Sequence, residues 1–230
     1  MKNILARGGI EFLAVLLGIS LSFYLEGIRE ETNLRKLNYQ ILERMNETIS
    51  DDIKDLEENI LVHSLAINSC KWIRSNLINN VNVDSLSYHL SVAVFSTVFV
   101  PNEEEYKAII SSGQIEVIQN KALVKAIYDK YKQHSFLKKF DEATSTFNEN
   151  IIQPYYNKIA DDIIVKSKDL PYSWAFLHYV IDDIPNKKKL KIIIGQLEQM
   201  HESYITVSNG VMKRTKVLNK LLIKELSINI

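Results

Sequence analysis

A single cysteine, four prolines and seven glycines in 230 residues leave few ways to build anything but helix. One thiol cannot close an intramolecular disulfide, and no cysteine pair exists to hold a structural zinc. The shortage of glycine and proline starves hairpins, phosphate-cradling loops and flexible linkers. Net charge is missing too: 28 Lys and Arg balance 28 Asp and Glu. The basic excess of a nucleic-acid-binding domain is therefore absent, and no nucleic-acid partner is expected. The length suits one sizeable core. The expected fold is all-α, an N-terminal transmembrane helix continuing into a long helix that packs in a helical bundle.

Against these shortages stands one apolar run. Phe12 to Leu25 carries no charge over 14 residues, and reaching back to Gly8 gives 18 at the cost of including Glu11. A hydrocarbon core of about 30 Å calls for about 20 apolar helical residues. A carboxyl near the end of such a span can reach the headgroups at modest cost. Residues 8–28 are read as a membrane span, which divides the chain into a tail and anchor, 1–28, and a helical outer domain, 29–230. The lipid bilayer is thereby the first expected partner. Two other readings compete. Ser20-Leu21-Ser22 could end a cleaved signal peptide, but no turn or helix breaker follows it; a buried core helix would show a polar face, and this run has hardly any. Lys2, Arg7 and the terminal amine before the span nearly balance Arg29, Arg35 and Lys36 after it. The short tail tips the orientation to a cytoplasmic N-terminus, which in a bacterium puts the outer domain in the periplasm, held on the inner membrane.

Within the span Ala14, Gly18 and Ser22 recur every four residues, with Glu11 on the same face. Small residues at this spacing let helices approach closely in lipid, and a neighbour would shield the carboxyl. Glu11, Ala14, Gly18 and Ser22 are the candidate residues for membrane-helix association, and a homo-oligomer is the partner they imply.

The stretch Glu11-Phe-Leu-Ala-Val-Leu-Leu-Gly18-Ile-Ser-Leu, followed by Arg29-Glu30-Glu31, resembles the opening of a large family of uncharacterised bacterial single-pass membrane proteins, known only as a domain of unknown function. Tyr106-Lys-Ala-Ile109-Ile110-Ser111-Ser112-Gly113-Gln-Ile115-Glu-Val-Ile118-Gln-Asn120 resembles a second stretch of that family. The chain departs from the pattern at Glu26-Gly27-Ile28, where the family has Asn-Asn-Trp, and Tyr24 is left to stand in for the interfacial aromatic. The resemblance implies an anchor with a helical outer domain. It supplies no activity and no functional residues.

No glycine lies between Gly27 and Gly113, and no proline before Pro101. Leu34, Leu37, Ile41, Met45, Ile49, Ile53, Leu56, Ile60 and Ile67 keep the spacing of an amphipathic helix, so the anchor is expected to run straight on to about residues 75–80. Further helices are expected from Asp84, which would cap the first, with an extended end at Val98 to Pro101; from an Asn102 cap to Gly113; from an Asn120 cap to Ile152; over Pro154 to Lys166; over Tyr172 to Asp183; and from Lys187 to about Leu226. Glu26 to Glu58 is net acidic by five and Lys187 to Ile230 net basic by six, so the first and last helices are expected to pair, bringing Met45 near Leu218. A basic last helix that binds anionic lipid or nucleic acid is the alternative.

Chemistry is thin. His63, His89, His134, His178 and His201 show no pair at helical spacing, and Ile205 sits where the second ligand of a zinc helix beginning at His201-Glu202 would be. Cys70 reads as a core filler. Tyr128 and Lys132 have dehydrogenase spacing without a dinucleotide loop. Asp51, Asp55 and Glu58 read as a solvated face, and Asp161-Asp162 and Asp182-Asp183 give no acid–base geometry. Tyr155, Tyr156, Tyr172, Trp174, Phe176 and Tyr179 read as core, or else as a docking patch. No catalytic, metal or cofactor residue is assigned. The expectation is a non-enzymatic, membrane-anchored protein-interaction or scaffold module with a protein partner still to be found; an oligomeric membrane effector or channel built around Glu11 is the alternative.

Overall fold

The computed structural model describes residues 2–77, 82–158, 160–166, 174–179 and 187–228. Helix α1 runs unbroken from Lys2 to Asn76 and packs along α6, Lys187–Ile228. Between them come α2 (Val83–Val94), α3 (Glu104–Ser111), a 3-10 turn at Gln114–Val117, and α4 (Lys121–Phe147). A π-helical turn at Asn148–Ile152 leads to the short α5, Gln153–Tyr156. The fold is an all-α bundle with one small antiparallel ladder, β1 (Ala160–Lys166) against β2 (Trp174–Tyr179).

The bundle is built on a heptad seam. Along α1, Met45, Ile49, Asp52, Leu56, Asn59, His63, Ala66, Cys70, Ile73 and Leu77 are all buried, in a strict alternation of four and three. The last helix repeats the pattern with Leu190, Ile194, Leu197, His201, Tyr204, Ser208, Val211, Thr215, Leu218 and Leu222. A 3.5-residue period keeps one stripe facing a partner helix over many turns, as in coiled coils. The two helices run antiparallel: Met45 shares a cluster with Leu218 and Leu222, and Ile73 shares another with Leu190 and Ile194. Helix α4 adds Leu123, Ile127, Lys130, His134, Leu137 and Thr144 as a third stripe. The expected pairing of first and last helices is therefore present. Its charges match only in part. Glu57 meets Lys216 at 2.8 Å in the expected sense, whereas Arg74 to Glu198 at 2.6 Å and Lys71 to Glu202 at 3.8 Å reverse it. The Glu57–Lys216 and Lys71–Glu202 pairs are exposed and contribute little, and Arg74–Glu198, with Glu198 buried, opposes the expected sense, so the buried stripe sets the pairing.

Several local expectations are corrected. Asn82, not Asp84, caps α2, its side-chain oxygen accepting from the Asp84 and Ser85 amides at 2.8 and 3.2 Å. Asn102 makes no cap for α3; its amide is taken by Asp52, as described below. Asn120 does cap α4, and Gly113 does end α3, in the left-handed region at φ 72° where glycine alone is comfortable. The helices expected over Pro154 to Lys166 and Tyr172 to Asp183 give way to α5 and the β1–β2 ladder. Ile163, Ile164 and Val165 lie in β1 and Trp174, Phe176 and Tyr179 in β2, residue types that favour a pleated backbone. Pro154 explains the π turn: it offers no amide to the carbonyl four residues back. The Gln153 N–H reaches instead to the Asn148 carbonyl, one residue further than in an α-helix. The ends of the expected Tyr172–Asp183 helix, with Asp182 and Asp183, lie outside the described residues.

Candidate functional site

The expected association residues all lie on the exposed N-terminal part of α1. Glu11, Ala14, Gly18 and Ser22 fall within an arc of about 80° at 100° per residue, and none is buried. Ser22 donates its hydroxyl to the Gly18 carbonyl of its own helix at 2.9 Å. Around them Phe12, Leu13, Leu16, Leu17, Ile19, Leu21, Phe23 and Leu25 are exposed on every side of the helix. Among the described residues α1 is the one helix long and apolar enough to cross a membrane.

The chemistry that sequence reading missed sits deeper, in the heptad seam. Three of its positions on α1 are polar, Asp52, Asn59 and His63, and each has found a partner across the bundle. Asp52 forms a buried ion pair with Lys130 of α4; the lysine is wholly inaccessible and its ammonium also lies 3.8 Å from the centre of the Tyr131 ring. Burial pushes the Lys130 ammonium down, and the Asp52 charge opposes that. Removing either partner would leave an uncompensated buried charge.

Asp52 has a second task. Its other oxygen accepts the Asn102 amide at 2.9 Å, and one turn on Asp55 accepts the Val100 amide at 3.2 Å. Two turns further, the Nε2 of His63 meets the Thr97 carbonyl at 3.0 Å. One face of α1 thus supplies the hydrogen bonds that the extended stretch 95–102 would otherwise obtain from a neighbouring strand. The acidic run read as a solvated face is in part a clasp, through Asp55, while Asp51 stays exposed, 3.1 Å from Lys54.

One more layer along, His63 of α1 and His201 of α6 approach with their Nδ1 atoms 2.8 Å apart. The far nitrogen of His201 meets the Ala93 carbonyl at 3.0 Å. Tyr204 stacks flat on His63, ring centres 3.7 Å apart and planes 7° apart. Desolvation pushes His63 down to about 4 and lowers His201 as well. These residues are 138 positions apart in sequence, which is why no helical spacing revealed them.

His134, on the same stripe of α4 as Lys130, is 2% exposed and finds no hydrogen-bond partner for either ring nitrogen within the protein. Burial and the neighbouring Lys130 charge push it down to about 3. It borders a half-open cavity of about 670 Å³ walled also by Val98, Phe99, Val100, Leu137 and Asp141. Burial raises the Asp141 carboxyl to about 7, with Glu142 adding to the shift. A cavity of this size and lining suits a small, mostly apolar molecule.

The remaining candidates fall into place as structure. Cys70 is buried and its thiol is pushed up to about 12, the wrong direction for a nucleophile. Tyr128 is half exposed on α4, and Tyr155 and Tyr156 are core. Among the described residues no three His, Cys, Asp or Glu side chains converge as metal ligands would. The class that these features define is a helical bundle on a helix long enough to cross a membrane, with a polar seam in its core. No family model, no curated protein and no solved structure matches the chain.

Proposed function

We propose that the chain is a single-pass membrane protein whose residues 8–28 lie in the bilayer and whose bundle acts as an interaction or scaffold module rather than an enzyme. The observation that carries this reading is the continuity of α1. One helix exposes apolar side chains around its whole circumference from Phe12 to Ile28 and then buries a heptad seam from Met45 to Leu77. Water would not tolerate the first half bare, and no described segment covers it. At 1.5 Å per residue, the far end of α1 then stands roughly 70 Å beyond Ile28. A rigid stalk of that reach suits holding a partner at a fixed height above a surface. The polar groups of the seam are largely spent on one another, which supports interaction over catalysis. The charges closest to the span, on the short tail, favour an N-terminus on the cytoplasmic side of a bacterial inner membrane.

Fractionation and labelling test it. The native chain should stay with membranes through alkaline carbonate extraction, and a chain lacking residues 8–28 should be released. Because Cys70 is buried, topology needs a reporter elsewhere: Ser75→Cys in a Cys70→Ser background, on an exposed position, should react with a membrane-impermeant maleimide in intact spheroplasts. Release of the native chain by carbonate would sink the anchor. Crosslinking in the membrane, with Gly18→Leu as the comparison, addresses self-association through Glu11, Ala14, Gly18 and Ser22. A monomer in both cases would remove the oligomeric effector or channel.

A further inference from the structure

We propose that His63 and His201 form a buried proton-binding site that holds one proton between their Nδ1 atoms at neutral pH. The argument is an accounting of hydrogens. Both far nitrogens face backbone carbonyls, of Thr97 and Ala93, each at 3.0 Å, and a carbonyl can only accept. Both Nε2 atoms must therefore carry hydrogen. If the rings are neutral, both Nδ1 atoms then bear lone pairs, and two lone pairs would face each other across 2.8 Å. Moving a hydrogen to one Nδ1 repairs that contact only by turning the Nε2 lone pair of the same ring onto a buried carbonyl, which orphans both groups. One added proton satisfies all four ring nitrogens at once: three donate and one accepts. Two added protons would put like charges in contact. Burial by itself pushes protonation of each ring down, His63 to about 4, and the proposal sets against that cost the shared Nδ1–H to Nδ1 bond and the two carbonyl acceptors, which only the singly protonated pair satisfies together.

Two further observations fit a shared proton rather than another occupant. The flat face of Tyr204, 3.7 Å from His63, is placed to stabilise an imidazolium. A metal ion with nitrogen bonds of about 2.0–2.1 Å in tetrahedral geometry would hold the two nitrogens roughly 3.3 Å apart, wider than they are. Ionisable groups on the packed elements include Asp55, Glu58, Cys70, Lys71 and Arg74 of α1, Glu198, Glu202 and Tyr204 of α6, His89 of α2, and Lys130, His134 and Asp141 of α4; Lys71 is paired with Glu202 at 3.8 Å. Arg74 already holds Glu198 at 2.6 Å, and Asp55 is engaged by Val100 and Asn59. Because the two rings also carry the Ala93 and Thr97 carbonyls, the dyad joins α1, α6 and the end of α2, and its protonation governs that junction.

The sign of the pH dependence follows. The folded pair binds one proton, whereas two unfolded histidines near 6.5 bind almost none above pH 7.5 and almost two below pH 5.5. Stability should thus fall on both sides of a maximum near pH 6.5. The alkaline side is diagnostic, because a neutral pair would be flat there. For the full-length protein in detergent micelles, the unfolding constant should rise between pH 7 and 8.5 by a factor approaching tenfold per pH unit, the limit set by one proton. His201→Gln, whose amide can still reach the Ala93 carbonyl, should abolish that rise, and Asp141→Asn should keep it. Lys130 does not mimic it, because a lowered lysine gives the opposite slope; the raised Cys70 thiol and Asp141 carboxyl share its sign, the thiol from about pH 8 upward, so the rise is read in a Cys70→Ser, Asp141→Asn background. If the variant does not fold, the native protein decides by nitrogen-detected histidine spectra, assigned with His89→Phe, His134→Phe and His178→Phe. Expected are two protonated Nε2 atoms and one proton shared by the Nδ1 pair at pH 7. A flat alkaline limb, or a neutral pair with one bare Nε2, overturns the proposal.

Discussion

From Glu11 to Lys36 every side chain of α1 is exposed, whereas from Ile41 to Leu77 every third or fourth one is buried. Both stretches are helix, and both are rich in leucine and isoleucine. What differs is periodicity: from Phe12 to Leu25 the first stretch is apolar on all faces before the charged turns that lead to Lys36, and the second is apolar on one stripe interrupted by Asp52, Asn59 and His63. An all-round apolar helix suits a uniform apolar solvent, and a striped one suits a partner helix. On the proposed membrane reading α1 is one element serving two surroundings, and the polar interruptions belong to the half with partners to satisfy them.

Substitutions should separate the two halves. The largest effect is expected from Lys130→Met, which leaves Asp52 charged and buried and should cost about 3–5 kcal/mol in chemical unfolding. Adding Asp52→Leu to it should recover most of that loss, since a packed apolar pair removes the stranded charge; the recovery is incomplete because the Asn102 amide loses its acceptor. Leu56→Ala, in the same seam, should cost about 2–5 kcal/mol and leave membrane partitioning unchanged. The reverse holds for Leu17→Arg: it should cost about 3 kcal/mol of insertion at the centre of the span, read by the fraction surviving carbonate extraction, with bundle unfolding unaltered. Asn120→Ala should cost about 1 kcal/mol through loss of the α4 cap, together with its 2.7 Å hydrogen bond to Glu225. Smallest and pH-dependent is His134→Phe. The depressed folded pKa means that the unfolded state takes up more protons as pH falls below 6.5, so native stability drops toward about pH 3. The variant should show a shallower acid limb, while Asp141→Asn should stabilise at pH 8 relative to pH 4, because the raised carboxyl resists ionisation.

Much of this architecture is legible in the chain. The uncharged run to Leu25, the absence of glycine between Gly27 and Gly113, and the Asn120 and Gly113 punctuation are local signals, and local signals place helices. The heptad is legible too, although its apolar members alone draw the eye. Following the alternation of four and three from Met45 lands on Asp52, Asn59 and His63 and marks all three as seam positions. What sequence does not supply is the partner of each. Asp52 and Lys130 are 78 residues apart, and His63 and His201 are 138, so only the antiparallel register of the bundle brings them together. The ladder escapes sequence reading for a related reason. Each strand makes sense only beside the other, and the sparse glycine argues against any hairpin at all.

A cysteine scan of α1 in the Cys70→Ser background, on the full-length protein in liposomes, tests the two-surroundings account most directly. Reactivity toward a water-soluble maleimide should be low at every position from 12 to 28 regardless of face. From 41 to 77 it should oscillate with a period near 3.5, with minima at positions such as 45, 49, 56 and 63. Uniform labelling from 12 to 28 would make that stretch a water-facing helix, and an oscillation there like that of the second half would give it a partner helix; either contradicts the account.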